Sequence, residues 1–185
     1  GIRFRTILSV TGLILVSLPL VWIYLLKPYQ QERILTFLNP DRDPLGTGYH
    51  VIQSKIAVGS GEFWGKGYGN GTQGQLNFLP ADHTDFIFSV FSEEWGFMGS
   101  MTVLILFLVL TLWAIGGLYK SKNRVSMIQT VGVVAIITSH VLINIGMTLG
   151  LMPVVGVPLP FFSYGGSSMI SMMFGIGLLL NIRMR

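Results

Sequence analysis

The chain contains no cysteine. No disulfide can therefore staple its loops, and no His/Cys/Asp spacing marks a dedicated zinc site. Charge is scarce as well. Only 11% of the 185 residues are Asp, Glu, Lys or Arg, against roughly 25% in an ordinary soluble domain. Acidic residues are missing from both flanks, all eight lying between Glu32 and Glu94. Apolar residues fill the gap: 51% of the chain is hydrophobic and the mean hydropathy is +0.64. This composition excludes a disordered chain or a fibrous repeat and argues for a membrane protein.

The net charge of +4 resolves by position. Seven basic residues form three clusters with no acid beside them: Arg3 and Arg5; Lys120, Lys122 and Arg124; Arg183 and Arg185. The stretch 27–94, with five basic and eight acidic residues, carries −3, and the rest of the chain carries +7. Between the clusters lie uncharged runs at Thr6–Leu26, Trp95–Tyr119 and Val125–Ile182, the last interrupted by Pro153, Pro158 and Pro160. A spanning helix needs about 20 apolar residues. The expectation is an all-α, polytopic membrane helix bundle, one membrane domain over 1–185. Its four spans fall at about 6–26, 84–119, 126–150 and 164–182. Short basic clusters flanking spans stay in the cytoplasm. Both termini are then cytoplasmic, and the 27–83 and 151–163 loops face outside. Trp22 and Tyr24 fit an aromatic belt. This distribution of charge also removes nucleic acid as a partner. A secretory signal peptide is a poor reading of the N-terminus, because span 1 is long and no small-residue cleavage site follows Leu26. A chain that starts with Gly reads as a processed or truncated piece.

The outer loop is too long to be structureless. Apolar spacing predicts short helices at Tyr29–Leu38 and Tyr49–Val58, with Asn39-Pro40-Asp41 stopping the first. Seven glycines then fall between Gly59 and Gly74. Gly69-Asn70-Gly71-Thr72-Gln73-Gly74 fits G-x-G-x-x-G, but no strand precedes it. Gly65-Lys66 resembles the end of a P-loop, yet Gly67 follows where Ser or Thr is required. The plain reading is a glycine loop whose backbone approaches something closely.

The segment Leu79 to Phe88 gathers Asp82, His83, Thr84 and Asp85 just before a long apolar run. Thr84 or His83 could open the next helix, with Asp85 in its first turn, where the helix dipole favours an acid. Capping and catalysis both remain open for Asp85. On that helix Asp85, Ser89, Ser92 and Gly96 share one face, with Glu93 nearby and Glu94 opposite. A carboxylate near the bilayer is by default functional; a paired charge or a packing contact is the alternative for Glu93 and Glu94. His140, Asn144 and Thr148 form a polar stripe at four-residue spacing, suited to interhelical hydrogen bonds or, less simply, to a proton relay. Pro158-Leu159-Pro160-Phe161-Phe162-Ser163-Tyr164-Gly165-Gly166-Ser167-Ser168 suggests irregular backbone lining a cavity, with Gly165 and Gly166 allowing close helix packing.

Taken together, these segments resemble one family. Arg33 to Pro40, Asp43 to Tyr49, Gln53-Ser54 and Gly65 to Gly69 are similar to its large outer loop. Phe78-Leu79-Pro80 with His83 to Phe88 and Glu93-Glu94-Trp95-Gly96 are similar to its catalytic helix. Asn144-Ile145-Gly146, Leu151-Met152-Pro153 and Ser163 to Ser168 are similar to its last two spans. The family is SEDS, the peptidoglycan polymerases of shape, elongation and division, and Val154 to Pro160 resembles the RodA branch. Asn77 and Asp82 depart from its pattern, each standing where Glu is frequent.

The resemblance implies an inverting glycosyltransferase that polymerises lipid II into β-1,4 glycan at the outer face of the bacterial cytoplasmic membrane. Asp85 would be the general base. Lys55, Lys66, His83, Thr84, Ser163, Tyr164 and Ser167 would bind substrate, with Lys55, Lys66, Arg33 or a divalent cation (Mg or Mn) neutralising the pyrophosphate. Glu93, Glu94, His140 and Asn144 would serve as polar structural groups of the membrane helices. The implied partners are a class B penicillin-binding protein transpeptidase and other membrane proteins of the elongation machinery. The match covers the last four of about ten spans, so this stretch alone is expected to be inactive. Two other classes stay open. A lipid-linked precursor flippase or transporter would use the polar stripe and the proline break. A non-catalytic scaffold would use the outer loop to bind a transpeptidase.

Overall fold

The computed structural model describes residues 12, 17, 19–43, 46–75, 84–120 and 123–184. In chain order its helices are α1 (Pro28–Leu38), α2 (Thr47–Ser60), the single turn α3 (Thr72–Gln75), α4 (Ile87–Lys120), α5 (Arg124–Thr148) and α6 (Gly166–Met184). A π-turn at Val21–Leu25 and a 3-10 turn at Pro40–Arg42 complete the set, and there is no strand among the described residues.

Three helices are long and apolar enough to cross a membrane: Ile87–Leu118, Arg124–Thr148 and Gly166–Met184. They correspond to three of the four expected spans. The expected first span, 6–26, lies mostly outside the described residues. The helix expected from residue 84 begins only at Ile87, so Asp85 stands in a turn before the helix rather than in its first turn. In that turn the Phe86 carbonyl accepts from Ser89 N (3.0 Å) and Val90 N (3.4 Å).

The two short helices form where apolar spacing placed them. Pro28 sits at the first position of α1, where its missing N–H costs nothing. Gln30 Oε1 caps the Lys27 N–H at 3.0 Å. Gly150, at φ +66°, ends the α5 region in the left-handed conformation that suits glycine, and Leu151 N returns to Gly146 O at 2.7 Å. A Cβ on Gly150 would run into the stem of Lys55, which lies across it.

α2 docks on the start of α4 through a small cluster of Ala57 and Phe86 with Val90 and Val154. Phe88, Val141, Ile145 and Leu159 join α4, α5 and the following loop in a second cluster. Between the clusters runs a buried polar link. Ser54 Oγ donates to Thr148 O (2.7 Å), so its single proton is used and Ser89 Oγ donates to it (2.6 Å). α6 meets α5 closely at Gly175, where a Cβ would stand 3.1 Å from Val133 Cγ1. Gly165 and Gly166, expected to allow such packing, meet no other helix. The start of α4, the end of α5 and the start of α6 gather at one end of the bundle. At the other end the Arg183 guanidinium lies 4.6 Å from the Trp113 ring centroid.

α4 is broken at Gly96 (φ +66°, ψ −163°). The break strands polar backbone groups that a continuous helix would pair. The loop after α2 satisfies them. Phe97 N donates to Glu62 O (2.9 Å) and Met98 N to Phe63 O (3.2 Å), while Glu93 O accepts from Lys66 N (3.0 Å) and Glu94 O from Gly67 N (3.0 Å). Gly65 and Gly96 face each other so closely that a Cβ on either would strike backbone. The glycine loop thus approaches the break in α4.

Gly96→Ala should therefore lower the thermal unfolding midpoint of the complete protein clearly. That backbone conformation, which only glycine adopts freely, costs roughly 1–3 kcal/mol for a residue with a side chain, and the new methyl displaces the loop. Gly177→Ala, which meets nothing within 4 Å, should cause no such loss. Equal midpoints for the two variants would contradict this account of the break.

Candidate functional site

The segment after α5 is rich in proline and cannot pair its own backbone as a helix or sheet would. Buried backbone carbonyls still need donors, and Leu159, Pro160 and Ser163 of this segment are buried. Three side chains from other parts of the chain supply donors, and Ser163 within the segment ties it to the turn before α4. Arg33 Nη1, from α1, donates to Val154 O (3.1 Å). Asn144, fully buried on α5, uses both protons of its amide: Nδ2 donates to Val157 O (2.8 Å) and to Asp85 O (3.0 Å). His140 Nδ1 lies 3.4 Å from Pro158 O. Ser163 Oγ accepts from Leu159 N (2.7 Å) and donates to Thr84 O (2.6 Å). Asn144 and Ser163 thus bind two consecutive carbonyls, those of Thr84 and Asp85, to the proline loop.

The Asp85 side chain is half-buried and faces Gly156, where a Cβ would stand 3.3 Å from its Oδ2. Gly156 has φ +77°, so both its conformation and its bareness suit glycine. Burial pushes the Asp85 carboxyl above its usual range, and the Arg33 charge pulls it part of the way back. A cavity of about 280 Å³ adjoins Arg33, lined also by Tyr29, Ile34 and Val154. The arrangement sets a half-buried carboxyl opposite a bare glycine, under the influence of the Arg33 guanidinium.

A second polar centre lies at the α4 break. Glu93 is completely buried. It receives Lys66 Nζ (2.6 Å), Thr72 N (2.9 Å), Thr72 Oγ1 (2.8 Å) and Gln73 N (3.1 Å). Glu94 turns to the same loop and accepts from Gly69 N at 3.1 Å. Of the alternatives open for Glu93, the paired charge is the one the geometry presents.

The residues singled out as substrate-binding therefore divide. Thr84, Ser163 and Asp85 come together, and Tyr164 and Ser167 lie exposed beyond them at the start of α6. Lys55 is exposed and crosses Gly150. Lys66 is spent on Glu93 and Thr72 rather than turned toward Asp85. His83 lies outside the described residues, as does Asp82. Of the polar stripe, Asn144 and His140 face the proline loop, while Thr148 Oγ1 returns to Ile145 O within α5 (2.9 Å). Sequence reasoning read Gly156 only as part of a family segment, with no site role, and treated Arg33 as one cation among three. An amide in a 58-residue run without charge was the available signal for Asn144. Among the described residues no three His, Asp or Glu side chains converge as metal ligands.

An all-helical set of described residues with three helices of membrane-spanning length and apolarity defines a class of polytopic membrane bundles. Comparison with known proteins narrows it. The profile of the FtsW/RodA/SpoVE family, described as cell cycle proteins, matches residues 1–185. Peptidoglycan glycosyltransferase MrdB of Escherichia coli K12 is 43% identical over 182 residues, covering 98% of this chain and 49% of its own. Peptidoglycan glycosyltransferase RodA of Treponema pallidum is 45% identical over 166 residues, covering 90% and 38%. A solved structure described as structural coordination of polymerization and crosslinking by a peptidoglycan synthase complex superposes with a TM-score of 0.69. Its identity is 39%, over 97% of this chain and 49% of that one. The chain belongs to the FtsW/RodA/SpoVE family. It spans about half the length of the curated relatives it matches.

Lys66→Met should destabilise the protein by about 3 kcal/mol, the scale for stranding a buried charge by removing its partner. Adding Glu93→Gln should recover part of that loss, because the stranded charge is then gone. Strictly additive losses in thermal unfolding of the two single variants and the double variant would show that the pair is not coupled.

Proposed function

We propose that this chain supplies the base-bearing part of a peptidoglycan glycosyltransferase, one that polymerises lipid II at the outer face of the bacterial cytoplasmic membrane during cell elongation and shape maintenance. Family membership supports the activity, and the resemblance of Val154 to Pro160 supports the RodA branch. The observation that carries the residue assignment is the Asp85 turn: a half-buried carboxylate, facing Gly156, on a backbone held by buried Asn144 and Ser163.

In this reading Asp85 takes the proton of the acceptor sugar's 4-hydroxyl as that oxygen bonds to the donor's anomeric carbon. The bond from that carbon to the undecaprenyl pyrophosphate breaks, and the pyrophosphate leaves with the electron pair. Attack opposite the leaving group converts an α-linked donor to a β-1,4 glycan. Asn144 and Ser163 position the base. Arg33 is better placed than Lys55 or Lys66 to meet the pyrophosphate, because Lys66 is already paired and Arg33 acts on Asp85. A divalent cation, Mg or Mn, would come as a companion of the pyrophosphate, and no step here depends on it. Thr84, Tyr164, Ser167 and the undescribed His83 are proposed to touch the sugars.

The same reading sets four spans, at 6–26 and at α4, α5 and α6, with the 27–83 loop outside and both ends of the chain in the cytoplasm. Arg124 and Arg183, at the bundle end away from Asp85, support that orientation. A class B penicillin-binding protein transpeptidase is the proposed partner, contacting the loop that carries α1 and α2, alongside other membrane proteins of the elongation machinery. The likeness to a complex that polymerises and crosslinks supports it.

In the complete protein, Asp85→Asn and Asp85→Ala should each cut lipid II polymerisation by roughly 10²–10⁴-fold, the range for losing a positioned base. Near-normal turnover in both would remove the assignment. Because burial raises the Asp85 carboxyl, the rate should rise with pH through a midpoint above the ordinary aspartate value of about 3.9. Arg33→Gln removes the opposing charge and should move that midpoint higher still. A midpoint unmoved by Arg33→Gln would show that Arg33 does not act on the base.

A further inference from the structure

The loop that heals the α4 break lies deep along that helix. Its four hydrogen bonds reach residues Glu93 to Met98, which follow Ile87 by six to eleven positions. At 1.5 Å per residue this is roughly 9–16 Å from the start of α4. The uncharged run of α4 begins at Trp95. Its 25 residues, to Tyr119, make about 37 Å of helix, enough for the roughly 30 Å hydrocarbon core. The loop is thus pinned to the level where that core begins.

Its side chains suit that level. Phe63 is 50% exposed, Trp64 77% and Tyr68 85%, and Trp95, Phe97 and Met98 of α4 are exposed beside them. Phe63, Trp64 and Phe97 pack into one surface. Phe63 packs edge-on against Trp64 (5.2 Å between ring centroids) and stacks on Phe97 (5.8 Å), while Trp95 stacks on Phe91 (6.0 Å). Below Phe97 the surface continues into an apolar groove with Met101 and Leu104. The nearby charges are Glu62, Glu94 and Lys66, and Lys66 is bound to Glu93. No unpaired positive charge on this loop draws it to an anionic headgroup. Amphipathic Trp and Tyr rings concentrate where hydrocarbon meets water.

We infer that Phe63, Trp64 and Tyr68 form a membrane-interface anchor, a wedge that seats the glycine loop in the headgroup and upper acyl region of the lipid bilayer. Its ligand is the bilayer itself, held by aromatic burial rather than by charge. Through Lys66 and Thr72 on Glu93, the anchor fixes the loop against α4 at a constant depth. The inference is independent of the reaction assigned to Asp85.

A spin label at Trp64→Cys tests it, in the complete protein freed of any other cysteine and reconstituted into phosphatidylcholine vesicles. Collision with oxygen reports lipid, and collision with a water-soluble nickel chelate reports water. Oxygen should dominate at position 64, less strongly than at Leu106→Cys, an exposed position well inside the span. The chelate should dominate at Asp41→Cys, on the exposed 3-10 turn. Tyr68→Cys should follow position 64, so the outcome does not hang on one substitution. Chelate collisions prevailing at 64 and 68 would place the loop in water. Protection from both quenchers would mean that protein covers it. Either result overturns the anchor.

Discussion

Backbone amides and carbonyls buried among packed side chains cannot pair with water, so each departure from helix inside this bundle must find its donor or acceptor within the protein. That constraint explains most of what is irregular in this chain. α4 breaks at Gly96 because the 62–67 loop returns four backbone hydrogen bonds to it. The proline loop after α5 holds its shape because Arg33 and Asn144 reach into it and its own Ser163 closes it on Leu159. In both places a glycine lets backbone come near enough, and a buried polar side chain completes the contact.

The two centres differ in what they do with a carboxylate. Glu93 is satisfied from all sides by a lysine, a hydroxyl and the first amides of α3, an arrangement that favours the charged form and leaves no room for a reaction. Asp85 is the reverse. Its backbone is held tightly while its side chain faces a bare glycine, with burial and the Arg33 charge opposing each other. Two acids eight residues apart, one in the turn before α4 and one on that helix, thus have opposite surroundings: Glu93 holds the loop, and Asp85 is the one proposed for proton transfer.

Much of the frame was legible in the sequence because it follows from length and polarity. The apolar runs predicted α4, α5 and α6 with only small shifts at their ends, and apolar spacing predicted α1 and α2. The break in α4 was not legible, because its cause is a partner about thirty residues earlier in the chain. The same holds for the turn that keeps Asp85 out of the helix. A helical wheel assigns faces on the assumption that the helix is continuous, and here it begins three residues later than expected and is broken at Gly96. Among candidate site residues, the motif singled out Asp85, and its role as base is a proposal. The contacts of Asn144, Ser163 and Gly156 were not legible, since each meets a carbonyl or a carboxylate that no spacing rule reports. Lys66 looked like a phosphate ligand among glycines, and its engagement with Glu93 is visible only in three dimensions.

Asn144 ties the Asp85 carbonyl to that of Val157 and is the residue proposed to position the base. The direct measurement is lipid II polymerisation by the complete protein carrying Asn144→Leu, alone and combined with Asp85→Asn. A positioning role predicts a fall in kcat of at least about tenfold, the equivalent of one hydrogen bond's 1.4 kcal/mol, with little change in KM. It also predicts no further loss when Asp85→Asn is already present. Unchanged kcat in Asn144→Leu, or a loss that adds in full to that of Asp85→Asn, would contradict it.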